Sequence, residues 1–170
     1  MKHIILIGFM GAGKTTIGKL LSEVLHLPFV DADQVIELKM GISIPEIFEK
    51  LGESQFRALE HAFCEDLVRL EPSVVATGGK MPCSDENLAL LKSVGTVVYV
   101  NASLQTITAR LKQHKSDRPL LEKIGEEALF RFVEDEITER KVFYKQAHLI
   151  FPNESNNPEK AVMQLKELVS

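Results

Sequence analysis

Two cysteines, Cys64 and Cys83, are all the disulfide-forming capacity that the 170 residues carry. That is too few for a disulfide framework, and their separation fits no metal-ligand spacing. They read as reduced thiols of a cytoplasmic protein. The five histidines (His3, His26, His61, His114, His148) also lack ligand spacing, which disfavours a protein-held zinc site. Basic runs are missing. With 20 Lys and Arg against 24 Asp and Glu the net charge is −4, so neither nucleic acid nor a membrane surface is an expected partner. A small anion remains open, held by a few well-placed Lys and Arg side chains. No apolar stretch has the length of a membrane span. The opening MKHIILIGFM runs directly into glycines, a lysine and two threonines, and so reads as a first strand rather than a signal peptide. Repeats, low-complexity tracts and interdomain linkers are absent too, which leaves one domain. Nothing signals an oligomer, so a monomer is expected. The apolar content, 45%, suffices for a core without staples.

What the chain does have is alternation. Short apolar runs at 3–8, 28–33, 73–79, 96–100 and 148–152 read as strands, the first apolar enough to be buried on both faces. Helical spacing fills the intervals: 13–27, 35–40, 42–52, 53–70, 84–95, 103–114 and 126–147, with a last helix starting at Asn157-Pro158. Ser43, Ser84 and Ser103 are placed as helix caps, and Gly52 and Gly95 as stops. Five strands separated by helices predict an α/β sandwich around a mostly parallel sheet.

Residues 8–15, GFMGAGKT, match G-x-x-x-x-G-K-[ST] between a strand and a helix, the context that phosphate loop requires. Glycines at 8, 11 and 13 permit tight turns and close backbone approach. Backbone N–H groups, including those of Gly11, Ala12 and Gly13, then converge on phosphates at the positive end of the next helix. Lys14 can reach the β- and γ-phosphates, and the Thr15 hydroxyl can ligate Mg²⁺. Thr16 fits either an α-phosphate contact or an ordinary first-turn position. The expected ligand is MgATP.

The loop alone names no reaction. A switch GTPase would carry Asn-Lys-x-Asp, which is missing, and a motor ATPase would end its third strand in an acid where this chain has Gly78-Gly79. A small-molecule kinase fits better. Asp31 and Asp33 in DAD (31–33) are expected to project together from the end of the second strand, one toward a magnesium-bound water and one toward a substrate hydroxyl. A cap or turn role for this pair stays open. Gly78-Gly79 offers a backbone surface a small polar substrate can approach, or else a plain strand-end turn. Of the arginines Arg57, Arg110, Arg118 and Arg140, Arg118 lies in the charged loop HKSDRPLL, as a lid-borne transition-state cation would.

Taken together, GFMGAGKTTIGKLL, FVDAD with Ile36-Glu37, FRALE (56–60), ATGG (76–79), RPLL (118–121) and ERKVFYKQAHLIF (139–151) resemble the shikimate kinases, in that family's order and over essentially the whole chain. The resemblance implies a nucleoside monophosphate kinase-like fold with five parallel strands in the order 2-3-1-4-5. It implies transfer of the ATP γ-phosphoryl to the 3-hydroxyl of shikimate, with Mg²⁺ as cofactor. Asp33 would orient that hydroxyl and take its proton, and Asp31 would sit near the Mg²⁺ shell. Arg57 and Arg140 would clamp the substrate carboxylate beside Gly78 and Gly79, with Glu60 holding Arg57. Lys14 and Arg118 would grip the phosphoryl group, and Arg110 would lie near the adenine. The acceptor region would span about 33–60 and the lid about 112–125. A gluconate kinase and a non-catalytic nucleotide-binding module are the competing readings. One departure stands out: Lys80 follows Gly78-Gly79 where the family has a third glycine. Either it strains a positive-φ position, or its ammonium adds to the anion site.

Overall fold

The computed structural model describes residues 2–113, 125–155 and 157–169. Five strands, β1 (His3–Ile7), β2 (Phe29–Asp31), β3 (Val74–Ala76), β4 (Gly95–Asn101) and β5 (Leu149–Pro152), form one sheet. Their order is β2-β3-β1-β4-β5 and every pairing is parallel, as expected for strands joined through helices.

The strands alternate between two apolar layers. Ile5, Ile7, Val75, Val97 and Tyr99 enter one layer, and Ile4, Leu6, Val74, Val98 and Val100 enter the other. Both faces are therefore dry, and the runs are apolar throughout rather than alternating with polar residues. The second layer is closed by α1 (Lys14–Leu25) through Ile17 and Leu21, and by the C-terminal helix α7 (Pro158–Val169) through Ala161, Val162 and Leu165. The first is covered by α2 (Ala32–Met40), α3 (Ile44–Asp66), α4 (Asp85–Val94), α5 (Leu104–Gln113) and α6 (Glu126–Tyr144).

Local signals act where the side chains allow. Ser43 and Glu46 make a reciprocal capping box with Pro45 in the first turn of α3. Gly52, at φ 82° and ψ 169°, is not helical and divides α3 into two helical segments at a kink, as expected from the sequence. Past Asp66 the chain tightens into a 3-10 turn, Leu67–Arg69. Ser84 caps α4 through the Asn87 N–H, and Ser103 caps α5 through the Thr106 N–H. Gly95 is extended and opens β4 directly.

One expectation needs correction. The second strand ends at Asp31, so Asp31 and Asp33 do not share a strand face. Asp31 is the N-cap of α2, its Oδ1 accepting from the N–H groups of Asp33 and Gln34, and Asp33 lies in the first helical turn. A carboxylate that can bond the orphan N–H groups of a helix start stops the strand early.

Candidate active site

The phosphate-loop side is built almost entirely from neighbours in sequence. Gly13 is the N-cap of α1 at φ 98°, a left-handed conformation that L side chains rarely adopt. Lys14 turns back over the loop, and its Nζ donates to the carbonyls of Gly8 and Phe9 at 2.8 and 3.0 Å. Thr15 sits exposed at the helix start, its Oγ1 donating to Asp31 Oδ2 at 3.2 Å. The register pairs Asp31 with Ala76, so a β2 carboxylate occupies the edge where the β3 terminus lacks an acid. Thr16 is exposed in the same first turn.

Two supports for this loop come from far away. Arg110 spreads its guanidinium over the carbonyls of Gly11, Ala12, Asn153 and Ser155, at 3.0 to 3.4 Å. Asn153 is buried, and its Nδ2 donates to the Ala12 carbonyl at 2.7 Å. Nothing in the sequence singled out Asn153, which lies in a polar stretch resembling any loop. Only the packing of the post-β5 turn behind the loop reveals it.

The acceptor side gathers residues from four elements. Asp33 comes from α2, Arg57 and Glu60 from α3, Gly78 and Gly79 from the turn after β3, and Arg140 from α6. Glu60 is 1% exposed, and its Oε2 accepts from Arg57 Nη1 at 2.5 Å. A surface i,i+3 pair contributes a few tenths of a kcal/mol. With Glu60 buried, loss of Arg57 would instead leave an unpaired buried carboxylate, a change on the order of 3–5 kcal/mol. Arg57 is held from below by Glu53 at 3.1 Å and lies over the Phe56 ring, 5.2 Å from its centroid.

Arg140 is 6% exposed, stacks 4.9 Å over the ring of the loop residue Phe9, and pairs with Glu136 one turn earlier. It thereby ties the acceptor side to the phosphate loop. Gly78 has no room for a side chain, since a Cβ would stand 2.9 Å from Asp33 Oδ1 and 3.0 Å from Glu60 Oε1. The Tyr144 hydroxyl donates to the Gly79 carbonyl at 2.6 Å, fixing this backbone face.

Electrostatics mark the same place. Burial, reinforced by the charge of Asp31, pushes the Asp33 carboxyl above its usual value against the pull of Lys14. Burial likewise raises Glu60, outweighing its pairing with Arg57. Cys83 nearby is pushed up to about 11 and Cys64 to about 12, both by burial, so neither thiol is a nucleophile. Among the described residues, two buried side-chain atoms have no hydrogen-bond partner, Asp33 Oδ1 and Arg140 Nε. Both belong to this cleft, and an unpaired buried polar atom is costly unless a ligand meets it.

Lys80 does not strain the backbone. His26 is the one non-glycine with positive φ among the described residues. Arg118, with the lid expected around it, lies outside the described residues. Among the described residues no cluster of three or more His, Cys, Asp or Glu could cage a metal. A magnesium ion that takes most of its oxygens from phosphates and water needs no such cage, and the Thr15 hydroxyl beside Asp31 fits it. Among the described residues no helix is long and apolar enough to cross a membrane.

Comparison with known proteins places this arrangement. The family model for shikimate kinase matches residues 10–169. A shikimate kinase of a Sulfurihydrogenibium species is 41% identical over 165 residues, covering 97% of this chain and 96% of its own. The crystal structure of a Bacteroides thetaiotaomicron shikimate kinase superposes with a TM-score of 0.94 at 34% identity, over 98% of this chain and 97% of that one. A shikimate kinase from Acinetobacter baumannii in complex with shikimate gives 0.89 at 34% identity, over 99% and 93%. With a family model matching residues 10–169 and relatives along its whole length, the chain belongs to the shikimate kinase family.

Proposed function

We infer that this cleft transfers the γ-phosphoryl of ATP to the 3-hydroxyl of shikimate, giving shikimate 3-phosphate and ADP. The observation that carries the reading is Asp33. Its half-buried carboxyl has one buried oxygen without a hydrogen-bond partner, and it feels the charges of both Lys14 and Arg57. A carboxyl kept above its usual value is a better proton acceptor than an exposed one.

Phosphoryl transfer asks a protein chiefly for positioning and charge neutralisation. Asp33 orients the acceptor hydroxyl and takes its proton. Arg57 and Arg140 bind the acceptor carboxylate, a planar anion suited to guanidinium forks. The Gly78-Gly79 backbone forms the floor. Lys14 leaves the Gly8 and Phe9 carbonyls for the β- and γ-phosphates, and Arg118 is assigned the second cation from its place in the sequence. Magnesium, when bound, neutralises the β- and γ-phosphates. Thr15 would hold it directly and Asp31 through water. Arg110 backs the loop near the adenine side, and the monomer is the acting unit.

The test is ADP release from MgATP with shikimate, quinate, gluconate and nucleoside monophosphates as acceptors. Shikimate should give the highest kcat/KM, with little release when no acceptor is present. Preference for another acceptor, or ADP release indifferent to shikimate, would overturn the reading.

A further inference from the structure

Glu136 poses a problem for the acceptor clamp. It sits on α6 one turn before Arg140, and its Oε2 contacts Arg140 Nη2. A carboxylate there neutralises the guanidinium and competes with an incoming carboxylate for the same N–H. Arg140 with Glu136 alone would leave the site with no net charge on this side.

A second cation reaches the same oxygen. Lys80, in the turn between β3 and α4, places Nζ 3.7 Å from Glu136 Oε2. The three side chains grade from cleft to rim, 8% exposed for Arg140, 21% for Glu136 and 39% for Lys80. The Lys80 turn is also fixed. Its carbonyl accepts from the Cys83 N–H at 2.9 Å, and the Met81 N–H donates to the Gly78 carbonyl at 3.2 Å. The ammonium is therefore carried by the same short turn that forms the acceptor floor. As a stability element a partly exposed pair of this kind contributes little. Its effect on a charged ligand is separate, because an anion entering a half-buried cleft responds to the net charge lining it.

We propose that Lys80 is a positioning residue for the acceptor: by holding Glu136 it keeps the Arg140 side of the cleft net positive and leaves the guanidinium available to the acceptor carboxylate. The proposal rests on the shikimate reading above.

Steady-state kinetics on the full chain separate the possibilities, using the parent, Lys80→Met, Lys80→Arg, Glu136→Gln and the double variant Lys80→Met/Glu136→Gln. Lys80→Met should raise the KM for shikimate about three- to fivefold, leaving kcat, the KM for ATP and the Tm within error. The increase should shrink at high ionic strength, and Lys80→Arg should restore the parent value. In the Glu136→Gln background Lys80→Met should have a clearly smaller effect, because the carboxylate it restrains is gone and only the general loss of one positive charge remains. An unchanged KM for shikimate in Lys80→Met would overturn the proposal. So would an equal effect with and without Glu136, which would make Lys80 an independent attractor, and so would a fall in Tm matching the kinetic loss. A parent that does not turn over shikimate would overturn the functional reading and this proposal together, whereas an active parent with an indifferent Lys80 would overturn only the latter.

Discussion

The two halves of the cleft are made in opposite ways. The phosphate half is a single run, Gly8 to Thr15, in which Lys14 donates to the Phe9 and Gly8 carbonyls five and six residues back, while Arg110, Asn153 and Asp31 meet Gly11, Ala12 and Thr15 from outside. The acceptor half is assembled from α2, α3, the β3–α4 turn and α6, and it holds the two buried side-chain atoms that lack partners among the described residues, Asp33 Oδ1 and Arg140 Nε. A phosphate loop whose polar groups already have partners can exchange them when its ligand binds. On the proposed function, the unpaired groups of the other half are held where the acceptor would be the partner they lack.

The largest effect that would break the comparison is at Asp33. Asp33→Asn should lower kcat by about 10²–10⁴ while nucleotide affinity, followed by titration with ADP, stays near the parent value. Loss of nucleotide binding would mean the halves are not separable. The same variant should be more stable at neutral pH. Because the folded-state pKa of Asp33 is raised, folding favours its protonated form, so ionisation above that pKa costs stability. Asn lacks this cost, and the Tm at pH 7 should rise. The gain should fade as pH falls through the raised value and vanish below the unfolded value of 3.8. By the same sign, the acid limb of kcat/KM for shikimate should lie above 3.8.

A sharper, smaller probe is Gly78→Ala. One methyl at 2.9 Å from Asp33 Oδ1 and 3.0 Å from Glu60 Oε1 must displace one of them. Misplacement of this size should reduce kcat/KM for shikimate by about 10- to 100-fold, with the KM for ATP little changed. A loss equal for both substrates would show that the two halves share one rigid frame.

The smallest effect belongs to the long-range support of the phosphate half. Asn153→Ala leaves the Ala12 carbonyl without its 2.7 Å donor. Stability should drop by about 1–3 kcal/mol in chemical denaturation, and the KM for ATP should rise while the KM for shikimate holds. A change confined to shikimate would contradict the division drawn here.

Legibility followed this division. GFMGAGKT carries its own geometry, because closely spaced glycines before a helix start constrain the backbone whatever surrounds them. Sheet membership was legible for the same local reason. DAD was misread as a strand pair because an aspartate can serve as a strand residue or a helix cap, and only the start of α2 at Ala32 decides between them. Glu60 looks like any i,i+3 partner of Arg57 until the packing of α3 shows it buried. Asn153 had no signature, since its partner Ala12 is 141 positions away, and Glu136 reads as an ordinary i,i+4 partner of Arg140 until Lys80, 56 positions away, is brought to it.

By itself the sequence determined a P-loop α/β fold, because turn glycines, apolar periodicity and short motifs are read by the backbone over a few residues, and its resemblance to the shikimate kinases supplied the family. Only the tertiary structure decided how the acceptor half is charged: that Lys80 is unstrained, that Glu60 is buried, and that Glu136 stands between two cations. Charge in a cleft depends on burial and on distances between side chains from different elements, and neither quantity exists until the chain has folded.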